Sequence, residues 1–113
     1  MSEGGSAPSF SASPVVVWGA GAMGGSIGAS LVRAGRSVLF VDTDEEHVRA
    51  IGERGLRVSG PIDDFTVDAP ATRPDHLDAG LRTVLLCVKA QHTERALDTL
   101  VRLLAPEGYV VSV

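Results

Sequence analysis

The sequence has few of the residues that build disulfide-rich, zinc-binding or membrane-spanning proteins. Its single cysteine, Cys87, excludes an internal disulfide framework and a cysteine-rich zinc site. No apolar run approaches the roughly 20 residues that span a bilayer. The start of the chain also lacks the basic and apolar regions of a secretory signal. We therefore expect a cytoplasmic protein with no membrane partner and no bound metal.

Positive charge is also scarce. The chain has 10 Lys and Arg residues against 14 Asp and Glu, and its net charge of -4 argues against a general attraction to nucleic acid.

Its 113 residues, 44% of them hydrophobic, suffice for one compact domain and not for two of ordinary size. Residues 1–13 are rich in Ser, Gly, Ala and Pro, which predicts a disordered tail before an ordered domain at residues 14–113.

Apolar runs without polar alternation predict strands that are covered on both faces of a parallel sheet. Three such runs cover residues 14–18, 37–42 and 82–88, and a further strand starts at residue 109. The segment 56–68 surrounds a Gly-Pro turn, and this pattern predicts a hairpin at the sheet margin. The last strand continues to the end of the sequence, so we expect a domain truncated after its fifth or sixth strand.

Helical spacing of apolar residues separates these strands. One helix follows the first strand and stops at Gly35, and others cover about 43–55 and 91–104. Thr43 and Glu46 predict a capping box at the start of the second helix. Strands alternating with helices indicate an α/β fold of the Rossmann type, a doubly wound parallel sheet with helices on both faces.

A G-x-G-x-x-G string directly follows the first strand and opens the first helix. Gly19 would permit the tight exit from the strand, Gly21 the close approach of a pyrophosphate, and Gly24 the close packing of helix on sheet. The main-chain amides from Ala20 to Met23 would then face the diphosphate of a dinucleotide. A purely structural turn is the alternative. The predicted phosphate-binding residues are Gly19, Ala20, Gly21, Ala22, Met23 and Gly24.

An acidic residue, Asp42, ends the second strand 18 residues past Gly24. A carboxylate at this position can accept hydrogen bonds from both adenosine ribose hydroxyls, whereas it would repel a 2'-phosphate. No arginine follows until Arg49, so we expect NAD to be favoured over NADP. For the acids from Asp44 to Glu46 we prefer a simpler role, the stabilisation of a helix N-terminus.

Lys89, the only lysine, stands at the carboxyl end of a buried strand, where doubly wound sheets bind ligands. A solvated lysine is the alternative. Cys87 lies in the apolar run before it and is expected to be a buried thiol with a raised pKa. We interpret Trp18 as core and His92 as an exposed helix residue. His47 and His76 receive no role.

The strings VVVWGAGAMGGSIGASL and CVKAQHT resemble the N-terminal domain of the ketopantoate reductase (2-dehydropantoate 2-reductase) family, as does the segment 55–61. The resemblance implies an NAD(P) cofactor whose pyrophosphate is held by Gly19–Gly24 and whose adenosine side lies against Lys89. It also implies hydride transfer to the 2-oxo group of a small 2-keto acid. Members commonly use NADPH and carry an arginine near the end of the second strand, where this sequence has Asp42 and Thr43.

The resemblance places the family's acid and its substrate-binding residues in a helical C-terminal domain, and an asparagine shortly after the fifth strand. Neither maps onto this sequence, so we assign no catalytic residue and expect a substrate to bind only with that domain. Two functions stay open: the cofactor-binding part of a 2-keto acid reductase, and a stand-alone, non-catalytic dinucleotide-binding module. The unpaired last strand also allows a homo-oligomer.

Overall fold

The computed structural model describes residues 13–61 and 64–113. The predicted tail therefore lies outside the described residues, apart from Ser13. In chain order the elements are β1 (Val15–Trp18), α1 (Ala22–Arg33), β2 (Val38–Val41), α2 (Glu45–Arg54), β3 (Leu56–Ser59), β4 (Asp64–Val67), β5 (Ala71–Thr72), β6 (Leu81–Leu86), α3 (Thr93–Leu103) and β7 (Leu104–Ser112). None of the helices in this part of the chain is long and apolar enough to cross a membrane.

Five strands form one parallel sheet in the order β5-β2-β1-β6-β7. The central strand is β1, whose Val17 pairs with Phe40 of β2 on one side and with Leu85 of β6 on the other. The chain first builds outward from β1 through β2 and then returns to its other side with β6. The strand order thus reverses beside β1, and the crevice above the carboxyl ends of such strands is where open α/β sheets bind ligands.

Both faces of the sheet are covered by helices, which confirms the predicted doubly wound fold. Val17 and Phe40 point to the face where Ala29 of α1 and Ile51 of α2 pack. Side chains of β1 that point the other way join Leu100 of α3 in a second core. Because both cores use β1, the strand that leads into the glycine turn is fixed from two sides.

The sequence predictions need four corrections in the sheet region, the first of which is that β7 begins at Leu104 and not at residue 109. The hairpin β3–β4 is antiparallel but forms its own two-stranded sheet rather than a margin of the main one. It packs its Leu56 and Val67 onto the core below α1. The edge of the main sheet is instead β5, a strand of two residues that was not predicted. The strand predicted at 82–88 runs from Leu81 to Leu86.

The helix boundaries differ less from the prediction. α1 ends just before Gly35, as expected. α3 begins at Thr93 because residues Ala90–His92 form a 3-10 turn. The predicted cap of α2 is wrong: the N-cap is Asp44, whose Oδ1 accepts the N–H of Glu46 at 3.1 Å and that of His47 at 3.2 Å. A carboxylate is one of the preferred N-cap groups, so the N-cap lies one residue beyond Thr43 and α2 begins at Glu45.

Candidate functional site

The glycine turn connects β1 to α1 at the carboxyl edge of the sheet. Gly19 has a φ of 103°, which L side chains rarely adopt, and its N–H donates to the Val41 carbonyl at 2.7 Å. A Cβ at Gly19 would also lie 2.9 Å from the Cys87 carbonyl oxygen. The sharp exit from the strand therefore requires glycine, as the sequence predicted.

Gly24 is explained by close packing. A Cβ built on Gly24 would lie 1.9 Å from the carbonyl oxygen of Gly19 and 3.0 Å from the Cys87 Cβ. No real side chain tolerates such contacts. Gly24 therefore lets the first turn of α1 lie directly against the strand exit.

Gly21 has no such explanation within the chain. Its φ of -75° and ψ of -158° are extended values that any residue adopts. A Cβ built there meets nothing within 4 Å in the described structure. The open space beside Gly21 is what the approach of an external group requires, and a side chain would fill it.

The first turn of α1 carries no acidic side chain of its own. Gly21 is its N-cap without a side-chain hydrogen bond, and the first turn contains no acid. The first N–H groups of a helix have no partner in the preceding turn and carry the positive end of the helix dipole. Ala22 and Met23 are exposed there. This end of α1 therefore fits an anionic group such as a diphosphate.

Asp42 lies at the end of β2 and reaches back to the glycine turn. Its Oδ2 accepts the N–H of Ala20 at 2.8 Å, and its Oδ1 accepts the N–H of Asp44 at 3.0 Å. The Ala20 amide, which we expected to face the diphosphate, is thus bonded to Asp42. The amides of the residues from Gly21 to Met23 are the ones that an external anion would meet.

His47 belongs to the same arrangement, although the sequence analysis gave it no role. Its Nε2 lies 2.6 Å from the carbonyl oxygen of Ala20, a residue 27 positions away. Because a carbonyl oxygen only accepts, His47 must donate this bond through Nε2–H. The single sequence signal was its position in the first turn of the helix after β2, which is too common a place for a histidine to identify it.

Lys89 lies at the same edge of the sheet, on the other side of β1. The Cys87 N–H donates to the Trp18 carbonyl at 2.8 Å, and Val88 lies beside Gly19. Lys89 comes one residue later and is exposed. The structure therefore places Lys89 at the same edge of the sheet as the glycine turn, and within residues 13–61 and 64–113 no side chain pairs with its ammonium.

Arg73 is a second residue that the sequence analysis missed. It directly follows β5, whose Thr72 pairs with Val41, so Arg73 stands next to Asp42 in the register. Its guanidinium forms ion pairs with Glu45 at 3.0 Å and with Asp75 at 3.4 Å. The loop after β2 has no arginine before Arg49, but Arg73 brings a cation next to it from the neighbouring strand. Glu45 and Asp75 already compensate the charge of Arg73.

The remaining candidates behave as expected. Trp18 is 4% exposed and packs in the core. Cys87 is half-buried, and burial raises the pKa of its thiol, so an activated nucleophile is not indicated. His92 and His76 are exposed. Within residues 13–61 and 64–113, no group of three or more metal-ligating side chains comes together.

A cavity of about 370 Å³ lies at the opposite end of the sheet from the glycine turn. It is lined at the amino ends of β1 and β6, by residues such as Pro14, Gly80 and Leu81. The glycine turn lies instead at the carboxyl edge of the sheet, beside the point where the strand order reverses. We place the candidate site at this edge, because the positive end of the α1 dipole and the first amides of α1 lie there and not at the cavity.

Known proteins resemble this chain along almost its whole length. A family model described as "Ketopantoate reductase PanE/ApbA" matches residues 15–113. A 2-dehydropantoate 2-reductase of Streptococcus pyogenes serotype M3 is 29% identical over 97 residues, which are 86% of this chain and 31% of that protein. One of Pyrococcus abyssi is 33% identical over 90 residues, covering 75% of this chain and 27% of that protein.

Solved structures agree. A PanE/ApbA family ketopantoate reductase from Ralstonia eutropha superposes with a TM-score of 0.79 at 35% identity, over 88% of this chain and 33% of that one. A D-mandelate dehydrogenase in a ternary structure with NADH and anilino(oxo)acetate superposes with a TM-score of 0.80 at 27% identity. The match covers 88% of this chain and 32% of that one. The chain therefore spans about a third of the length of these relatives. By its sequence and its fold, it belongs to the ketopantoate reductase PanE/ApbA family.

Proposed function

We propose that this chain is the cofactor-binding part of an NAD(P)-dependent 2-keto acid reductase. The observation that carries the proposal is Gly21, a glycine that neither backbone strain nor packing requires, at the uncapped N-terminus of α1. A ligand whose anionic group approaches the backbone there accounts for it. The amides from Gly21 to Met23 would hold the diphosphate, Asp42 a ribose, and Lys89 a further polar group of the adenosine half.

The reaction class follows from the relatives. Those named above reduce 2-dehydropantoate or are titled a D-mandelate dehydrogenase. Both names describe the interconversion of a 2-oxo acid and a 2-hydroxy acid. When bound, a nicotinamide dinucleotide supplies the hydride. This chain's own residues bind and orient that cofactor, and we assign none of them to proton transfer or substrate binding.

We further propose that NAD is preferred over NADP. Asp42 is followed closely by Asp44, so a 2'-phosphate would meet more than one carboxylate. The nearest cation by register, Arg73, is paired with Glu45 and Asp75. We therefore expect repulsion by Asp42 and Asp44 to exceed the attraction that the paired Arg73 offers to a phosphate.

Calorimetric titration with NADH and NADPH tests both proposals. We expect NADH to bind more tightly, and Asp42→Ala to narrow the ratio of the two affinities. The ratio is the informative quantity, because Asp42 also bonds two main-chain amides and its loss should weaken both cofactors. Asp98→Ala removes an exposed carboxylate from α3 and serves as the control. Equal or reversed affinities in the unaltered chain would contradict the NAD preference, and no binding of either cofactor would contradict the function.

A further inference from the structure

The peptide groups around Ala20 are held by side chains from the segment after β2. The Ala20 N–H donates to Asp42, and the Ala20 carbonyl accepts from His47. Ala20 itself is 2% exposed. We propose that Asp42 and His47 are positioning residues that clamp Ala20 from both sides and so hold the glycine turn in its ligand-binding shape. The identity of the ligand rests on the proposed function, whereas the existence of the clamp does not.

The clamp fixes two successive peptide planes. In the plane between Gly19 and Ala20, the N–H is held by Asp42 while the Gly19 carbonyl lies against Gly24. In the plane between Ala20 and Gly21, the carbonyl is held by His47. No peptide bond in the described residues is cis, and in a trans peptide the N–H points opposite to the C=O. The Gly21 N–H is therefore directed away from His47.

This direction matters because glycine at position 21 leaves the backbone free to turn. The Gly21 carbonyl accepts the N–H of Gly25 at 2.7 Å, but a Cβ at Gly21 would meet nothing within 4 Å in the described structure. Without His47, the plane between Ala20 and Gly21 could rotate, and the Gly21 amide would lose its fixed direction. A site whose amides are oriented before binding loses less entropy when the ligand arrives. His47 thus acts on the ligand through the backbone and not by contact.

His47 gives a cleaner test than Asp42, because Asp42 is also a predicted ribose ligand. Three variants of the whole chain suffice: His47→Leu removes the donor, His47→Gln restores an N–H donor at a similar reach, and His76→Leu removes an exposed histidine near the far cavity. Two measurements are made on each: calorimetric titration with NADH, and amide hydrogen exchange followed by NMR without ligand. Urea unfolding checks that each variant is folded.

We expect His47→Leu to bind NADH roughly five- to tenfold more weakly, the loss typical of one hydrogen bond. The NADH affinity of His47→Gln should remain within about twofold of that of the unaltered chain, and so should the affinity of His76→Leu. Once His47 no longer holds its carbonyl, Ala20 should separate from Asp42 more often, so the Ala20 amide should exchange faster in His47→Leu. Unchanged exchange of the Val17 amide in β1 would separate a loosened turn from general unfolding.

Two results would overturn the proposal. One is a His47→Leu variant with unchanged NADH affinity and unchanged Ala20 exchange. The other is an equal acceleration of exchange at Ala20 and Val17, which would make His47 a general stability residue. If the unaltered chain binds no NADH, the proposed function fails, and the exchange rate of Ala20 still decides whether the clamp exists.

Discussion

Two helices begin at the carboxyl edge of the same sheet, and their N-termini are built in opposite ways. α2 starts at a carboxylate cap, Asp44, and has Glu45 and Glu46 in its first turn. α1 starts at a glycine, with no side-chain cap and no acid in its first turn. The chain thus satisfies the positive end of the α2 dipole itself and places no acid in the first turn of α1, as an anion-binding helix start requires. The contrast supports the proposed site more directly than the glycine motif alone.

Gly24→Ala should have the largest effect, because it attacks the packing on which the start of α1 depends. The new Cβ would be forced against the Gly19 carbonyl, and overpacking of this kind costs typically about 1–3 kcal/mol. We expect a lower urea midpoint together with loss of NADH binding. Gly52→Ala in α2 is the matched control and should not destabilise the fold, because a Cβ there meets no atom of the described residues within 4 Å.

Gly21→Ala should separate binding from stability. The Cβ has open space in the chain, so the loss of stability should stay within about 1 kcal/mol, the difference between glycine and alanine as N-caps. It would occupy the space that we assign to the diphosphate, and NADH affinity should fall about tenfold or more, which equals about 1.4 kcal/mol. Unchanged affinity in calorimetry would show that the ligand does not approach Gly21.

Asp44→Ala should have the opposite effect, a clear loss of stability with a smaller loss of NADH affinity. Removal of an N-cap carboxylate costs about 1 kcal/mol, because two amides of α2 lose their acceptor. Urea unfolding should show this loss, while NADH affinity should fall less than it does for Gly21→Ala. If Asp44→Ala lowered NADH affinity more than Gly21→Ala does, the start of α2 would contribute to binding as much as the start of α1, which would contradict this prediction.

Ala22→Glu should make the start of α1 resemble that of α2. An acid in the first turn typically stabilises a helix by about 0.3–1 kcal/mol, so the urea midpoint should rise slightly. NADH should bind more weakly, since the carboxylate would stand next to a diphosphate. Ser30→Glu, near the other end of the same helix, is the control for added charge and should leave the affinity unchanged. Tighter NADH binding by Ala22→Glu would contradict an anion site.

The sequence was sufficient where local pattern and packing agree. β1, α1 and β2 were predicted because a β-branched strand, a glycine turn and a helical spacing follow one another without interruption. β5 was missed because two residues carry no period. The N-cap was placed at Thr43 because the capping-box spacing fits there, whereas the backbone turn brings the carboxylate of Asp44 to the helix amides.

The candidate site was predictable only in part, because some of its contacts join residues that are far apart in the sequence. Gly19 and Gly24 were given the roles that the structure shows, since both depend on neighbouring residues. His47 and Arg73 reach the site through contacts across 27 and 28 positions, which no spacing rule encodes. Asp42 was recognised by its position, but its bond to Ala20 depends on the pairing of β1 with β2.

NMR titration of the labelled chain with NADH tests the central claim most directly. We expect the largest amide shifts at Gly21, Ala22 and Met23, with smaller shifts at Asp42 and Lys89. Shifts confined to the cavity near Pro14 and Gly80, or no shifts at millimolar NADH, would contradict it.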